Sequence, residues 1–303
     1  MFVAFDDVQG LGWWMRYLIY PLTWLVAEAV GSAHLIRHVL LGTMCRYAAN
    51  LCVTAFSKLD RFAEPRRVQR VNPPARQHER ELDWDQALLL SPVAFLLVDT
   101  VTPWLREEEV VPLDSTAFLL MILGHYLMVE PVYYAFHRYL HTPTAYRLSH
   151  SHHHTSTVTE AISGTSHPFL EMAGYLANFS FPFLLPAWCG CFAYELVYIY
   201  FVWFDIMNCI GHCNVEVVPR FMQWGPLKYF VYTSSYHSLH HTKFKCNYCL
   251  FCPMWDYLFG TVHPTTAALY EKVLSQPPRR LDAVFLGHGH SMASMLHLPW
   301  LSP

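Results

Sequence analysis

A helix that spans a bilayer needs about twenty predominantly apolar residues. Four stretches of this chain meet that length: Gln86 to Leu105, Ser115 to Phe136, Pro168 to Pro186 and Cys191 to Gly211. Backbone polar groups at membrane depth find no water, so stretches of this kind fold as helices that satisfy their own N–H and C=O groups. The last two read as a helical hairpin whose turn is signalled by Pro182, Pro186 and Gly190. Two weaker stretches precede them. Leu11 to Gly31 is interrupted by Arg16 and Glu28, and His34 to Phe56 carries Arg37, His38 and Arg46; they read as a spanning hairpin or as interfacial helices. Composition agrees, since 53% of the residues are hydrophobic and 14% charged, against about 25% charged in soluble domains. The expected fold is an all-α membrane protein, a helical transmembrane bundle of four to six spans with a cytosolic helical cap.

Charge sets the orientation. Lys58 to Asp83 carries Lys58, Arg61, Arg66, Arg67, Arg70, Arg76 and Arg80, whereas Arg106 to Asp114 carries Glu107, Glu108, Glu109 and Asp114. The positive-inside rule places the first segment in the cytosol, and counting spans from there brings His137 to His167, and the chain from His212 onward, to the same cytosolic face. A net charge of −3 supplies no basic field for nucleic acid. Nine cysteines, an odd number in a long chain, give no disulfide framework and read as reduced thiols.

Nineteen histidines are the chemical signature. The pattern HxxHH is expected by chance roughly 0.07 times in a chain of this composition, yet it occurs at His150, His153 and His154, with His152 between, and again at His237, His240 and His241. His137 and His141 are four apart and share a helical face. Asn208 and His212 repeat that spacing at the end of the last apolar stretch. In each HxxHH box the first and fourth residues are expected to share a face, with the fifth beside them. Nine imidazoles exceed one tetrahedral site and fit two metal ions, and neutral imidazole suits iron, zinc and copper alike. Scattered headgroup-level histidines are the bland alternative, disfavoured because cationisable groups gathered without a metal are costly.

Asp205, one turn before Asn208, and Glu160, six residues past the second box, are candidates to accept the outer ring N–H of a ligand histidine. His125 and His167 are weaker candidates for the same surroundings. Tyr133 and Tyr134 read as core or channel lining. Cys246, Cys249 and Cys252 before Pro253 imitate part of an iron–sulfur motif without its fourth cysteine, and His288 and His290 lie in the tail. No GxGxxG, GxSxG or Walker A pattern is present, so hydrolase and NTPase readings have no support.

The boxes His137-Arg-Tyr-Leu-His141, His150-Ser-His-His153-His154 and His237-Ser-Leu-His240-His241 resemble those of the membrane fatty acid hydroxylase superfamily, which includes sterol desaturases. The strings Val129-Glu130-Pro-Val-Tyr133-Tyr134, Val158-Thr159-Glu160, Ile206-Met-Asn208, Gly211-His212-Cys213-Asn214 and Leu269-Tyr270-Glu271-Lys272 are similar to plant ECERIFERUM-type aldehyde decarbonylases. The likeness runs from Trp84 to about Ser275. It implies a division into 1–83, N-terminal membrane or interfacial helices and a basic linker; 84–275, a di-iron domain; and 276–303, a tail resembling the start of a soluble C-terminal domain.

The resemblance further implies two ferrous ions held by the eight box histidines, His212 and, through water, Asn208. It implies an external cytochrome b5 and NADPH reductase system as electron donor, an endoplasmic reticulum membrane location, and conversion of a very-long-chain aldehyde to an alkane in wax biosynthesis. Hydroxylation or desaturation of a fatty acid or sterol would use the same centre. In a different class stands a noncatalytic membrane subunit of a wax-forming complex, as a homo- or hetero-oligomer.

Overall fold

The computed structural model describes residues 33–58, 63–74 and 113–275, together with Pro21, Trp24, Leu25, Glu28, Gln77, Arg80 and Glu81. The expected span 86–105, most of the stretch 11–31 and the tail 276–303 lie outside the described residues. Among those described, the chain is helical and forms no strand; an isolated antiparallel bridge joins Arg67 to Val215.

Helix α1 runs Ala33–Lys58 and α2 Ser115–Leu140. They contain the two described segments long and apolar enough to cross a membrane, Val39–Ser57 and Ser115–Leu140. Asp114 caps α2 by accepting the Ala117 N–H at 2.7 Å. Leu119, Leu123 and Leu127 project outward from the same helix, an apolar stripe suited to lipid. Midway, His125–Val129 is a single π-turn closed by Glu130 N–H on the His125 carbonyl. Pro131 explains it, because its ring lacks an N–H and would crowd the Leu127 carbonyl in a regular helix.

The expected hairpin is present with a different break. Its first arm is two helices, α3 (Phe169–Asn178) and α4 (Phe181–Trp188), followed by α5 (Tyr194–His212). Pro182 belongs to the first turn of α4 rather than to the hairpin turn: its ring excludes a helical Asn178 carbonyl, so α3 ends there, while its fixed φ favours a new helix start. Pro186 lies inside α4, and the chain reverses at Cys189–Ala193, where Gly190 has φ 70°. Gly124 lets α2 approach closely; a Cβ there would stand 2.9 Å from the Pro182 backbone.

Helices α6 (Ser234–Lys243), α7 (Met254–Leu258) and α8 (Thr266–Leu274) follow, with α6 packed on α5 and α8 on α6. Thr233 starts α6 by accepting the Tyr236 N–H at 3.0 Å, and α6 is buried from Ser234 to His241. The basic segment is a strap across this region. The Glu216 N–H donates to the Arg66 carbonyl, the Val68 N–H to the Asn214 carbonyl, and the Gln69 amide to the Thr157 carbonyl and Ser238 Oγ. Beyond it, Gln77 reaches the Val158 carbonyl, and Glu81 accepts the hydroxyls of Ser156 and Ser163.

Candidate metal centre

Each histidine box is carried by a helix end or a tight turn, so several rings point inward together. His137 and His141 close α2, His150 ends a π-turn (Tyr146–His150), His153 and His154 lie in the next 3-10 turn, His212 ends α5, and α6 carries the third box. The structure brings nine histidines into two groups. His137, His141, His150, His154 and His240 form the first, and His153, His212, His237 and His241 the second, the ligand nitrogens of each group lying within 4.8 Å of one another.

The sharing of the boxes differs from the helical-face expectation. The i, i+4 pair of a box serves one centre and the i+3 residue serves the other: His150 and His154 face the first with His153 in the second, whereas His237 and His241 face the second with His240 in the first. Residues four apart are offset by about 40° around a helix and those three apart by about 60° the other way, so one turn can address both centres.

The nitrogens are spaced for coordination. Nε2–Nε2 separations are 3.0 Å for His137 and His150, 3.1 Å for His150 and His154, 3.3 Å for His141 and His240, 2.9 Å for His212 and His237, and 3.2 Å for His237 and His241. Two imidazoles on one ion at about 2.1 Å stand about 3.0 Å apart at a right angle and about 3.4 Å at a tetrahedral angle.

His137 Nδ1 donates to the Tyr248 carbonyl at 2.7 Å, and His150 Nδ1 lies 2.7 Å from Glu171 Oε1, so each ring turns its Nε2 toward the other. With both rings neutral these are two lone pairs, which a cation between them would reconcile. His240, His153 and His212 likewise commit Nδ1 to the carbonyls of Cys246, Ser166 and Asn208. Burial, reinforced by neighbouring rings, holds His153, His154, His237 and His241 well below the ordinary imidazole value. It takes His240 down to about 3, against the pull of the Cys246 carbonyl. Neutral, preoriented imidazoles are the form a metal requires, and the residues present fit a dimetal site.

The other candidates are placed as follows. His167 stacks on His153 with centroids 4.1 Å apart and shares Glu171 Oε1 with His150, at 3.0 Å. Asn208 donates its amide to the Gly164 carbonyl at 2.8 Å. Asp205 makes two hydrogen bonds to the Arg46 guanidinium, at 2.5 and 2.6 Å, tying α5 to α1. Glu160 and Ser163 form a capping box on the turn Ala161–Thr165. His125 lies among Tyr200 and Glu130, at 3.0 and 3.2 Å, away from both groups. Cys246, Cys249 and Cys252 are buried free thiols.

The carboxylate against the ligand rings is Glu171, which sequence reasoning passed over. It is 2% exposed and also accepts Ser149 Oγ at 2.8 Å. Its signal was an acid inside an apolar stretch, four residues after His167. Asp256, fully buried behind the first centre, was also missed.

Residues 122–261 match the fatty acid hydroxylase family model. Protein CER1-like 2 of Arabidopsis thaliana is 39% identical over 225 residues, which cover 73% of this chain and 36% of that protein. Very-long-chain aldehyde decarbonylase GL1-7 of Oryza sativa subsp. japonica is 40% identical over 224 residues, covering 73% of this chain and 35% of that protein. Very-long-chain aldehyde decarbonylase GL1-5 of Oryza sativa subsp. indica is 35% identical over 264 residues, covering 86% and 42%. The chain thus spans 35–42% of the length of these relatives. No solved structure matches. The domain at 122–261, which carries all three histidine boxes, is thus a fatty acid hydroxylase domain.

Proposed function

We propose that this chain is the membrane-embedded portion of an O2-dependent di-iron lipid oxidoreductase that converts very-long-chain aldehydes to alkanes in wax biosynthesis. The observation that carries the reading is the gathering of nine histidines into two groups, the ligand nitrogens of each lying within 4.8 Å of one another. The first centre would hold one iron through His137, His141, His150, His154 and His240, and the second another through His153, His212, His237 and His241. Asn208, adjoining His212 through its backbone carbonyl, would reach the second ion through water. Bound iron would supply activation of O2, with electrons from an external cytochrome b5-type carrier fed by an NADPH reductase.

The protein's own part is to exclude water and orient the lipid. A small cavity of about 30 Å³ lined by Tyr133, Met172, Tyr175, Phe179 and Phe204 touches Gly164 and Asn208 beside the second centre; an apolar tail entering there would have to part these side chains. The names of the relatives support the aldehyde as substrate. Two apolar helices of spanning length support a multi-pass membrane location, which we assign to the endoplasmic reticulum with the boxes on the cytosolic face. The catalytic unit runs 84–275 with four to six spans in and before it, and the strap of 64–81 packs on it. Assembly with itself or with a wax-pathway subunit belongs to the same reading.

Elemental analysis of the detergent-purified chain tests the centre, followed by assay with a long-chain aldehyde, O2 and a reductant. Iron close to two per chain, lost in His153→Ala and His240→Ala together with alkane formation, is expected. Zinc alone, or metal insensitive to both substitutions, refutes the oxidoreductase reading.

A further inference from the structure

Three rings of the first centre, His137, His150 and His240, are steadied from behind by different means, and one of these has its charge a step removed. His150 meets a carboxylate directly, through Glu171. His137 meets a carbonyl, that of Tyr248, at 2.7 Å. The same peptide's N–H, on Cys249, donates to Asp256 Oδ2 at 2.7 Å. We infer that Asp256 is a positioning residue for the first centre, acting on His137 through the peptide that joins Tyr248 to Cys249. The inference rests on the reading that His137 helps to hold a metal ion.

The surroundings of Asp256 suit this role. It sits in the first turn of α7 with no exposed surface. Four donors converge on it: Tyr248 N–H and Thr261 Oγ on Oδ1, and Cys249 N–H and the Tyr236 hydroxyl on Oδ2. That is the pattern an ionised carboxylate accepts. A charge on the N–H side of a peptide makes its carbonyl a stronger acceptor, each bond in such a chain strengthening the next by about 10–30%. The Tyr248 carbonyl therefore holds the His137 Nδ1 proton more firmly, and the Nε2 lone pair becomes more basic toward a metal.

The loop is fixed in register as well. Asn247, between the two carbonyls that orient His240 and His137, has φ 55° and donates its side chain to the Tyr236 carbonyl. Its own N–H bonds the Thr261 carbonyl. Asp256 thus grips both sides of the loop: one oxygen takes Thr261 and Tyr248, the other takes Cys249. Tyr236, from the helix carrying the third box, joins them.

The test uses the full detergent-purified chain and Co2+ alone as the probe, read by its visible absorption during titration. Asp256→Asn is expected to weaken one of two ions by about 3- to 10-fold, less than the 10- to 100-fold typical of a direct outer partner, and to shift that ion's absorption band while the other is unchanged. Tyr236→Phe and Thr261→Val each remove one neutral donor from the same carboxylate and leave its charge, so both are expected to keep affinity within about twofold of the wild type. Wild-type titration in Asp256→Asn, or an equal loss in Tyr236→Phe or Thr261→Val, overturns the inference. Should Asp256→Asn not fold, Asp256→Glu takes its place: it moves the carboxylate by one methylene off Cys249 and is expected to show the same loss at one ion, with wild-type titration overturning the inference. A wild-type chain that takes up no cobalt overturns the metal reading and this inference together, whereas two-ion uptake with an indifferent Asp256 overturns the inference alone.

Discussion

Replacing Glu171 by Gln separates the charge behind the metal centre from its shape. One carboxylate oxygen takes Nδ1–H groups from His150 at 2.7 Å and His167 at 3.0 Å, and the other takes Ser149 Oγ at 2.8 Å. Glutamine is nearly isosteric. Its oxygen can keep both imidazoles and its amide can donate to the Ser149 hydroxyl, so all contacts survive and only the negative charge is lost. Charge-assisted hydrogen bonds are roughly twice as strong as neutral ones, and loss of an outer partner typically costs a metal site about 10- to 100-fold in affinity, or about 1.4–2.7 kcal/mol. The expected result is a loss in that range for one of two ions, the one held by His150. Competition between the full chain and a metal chelator measures it, with thermal unfolding of the metal-free protein as control. Glu171→Ala should lose more, because it strands two buried ring N–H groups and a hydroxyl. Unchanged affinity for both ions in Glu171→Gln would refute the argument that charge, and not merely an acceptor, tunes His150.

Three further outcomes follow from the geometry. Gly164→Ala would set a Cβ 2.6 Å from Asn208 Nδ2 and 2.9 Å from His212 Nδ1, both buried and already hydrogen-bonded; overpacking of this kind costs about 1–3 kcal/mol, so a lower melting temperature together with weaker metal binding at the second centre is expected. Arg46→Met or Asp205→Leu breaks a buried ion pair and is expected to cost about 3–5 kcal/mol, as chemical denaturation of the variants beside the wild type would measure. The pH dependence has a definite sign: His153, His154, His237, His240 and His241 are held neutral in the fold, His240 at about 3, but titrate at about 6.5 when unfolded. The unfolded chain binds the extra protons, so the metal-free protein keeps this stability above about pH 6.5 and loses up to about 1.4 kcal/mol per histidine per pH unit below it; a melting temperature that rose on acidification would contradict the burial of these rings.

What could be read from the sequence was whatever local periodicity encodes. Length and apolarity locate α2 and α5 because a helix needs no distant partner to satisfy its backbone, and four-residue spacings place His137 beside His141. The break between α3 and α4 was misassigned because a proline opens a helix as readily as it ends one, and sequence alone does not say on which side of Pro182 the chain turns. Asp205 and Glu160 were proposed as outer partners from proximity along the chain. Asp205 finds Arg46 and Glu160 caps a turn with Ser163, since the direction of a carboxylate depends on which helix packs against it. The carbonyls of Tyr248, Cys246 and Ser166 carry no side-chain signature at all, and no motif could have announced them.

The division of each box between two centres gives the HxxHH pattern a physical meaning that a list of ligands does not. A box feeding one ion would leave two ions independent, each free to load or empty alone. Here His153 departs from His150 and His154 to join the second group, and His240 departs from His237 and His241 to join the first. Rotating α6 by even a fraction of a turn would therefore misplace ligands of both centres at once. The same helix is held by Thr233 at its start and by Ser238 under the Gln69 amide of the strap. Its rotation is thus held by contacts that lie outside both histidine groups. That is what a pair of metal sites needs if both are to be present, in fixed relation, before any substrate arrives.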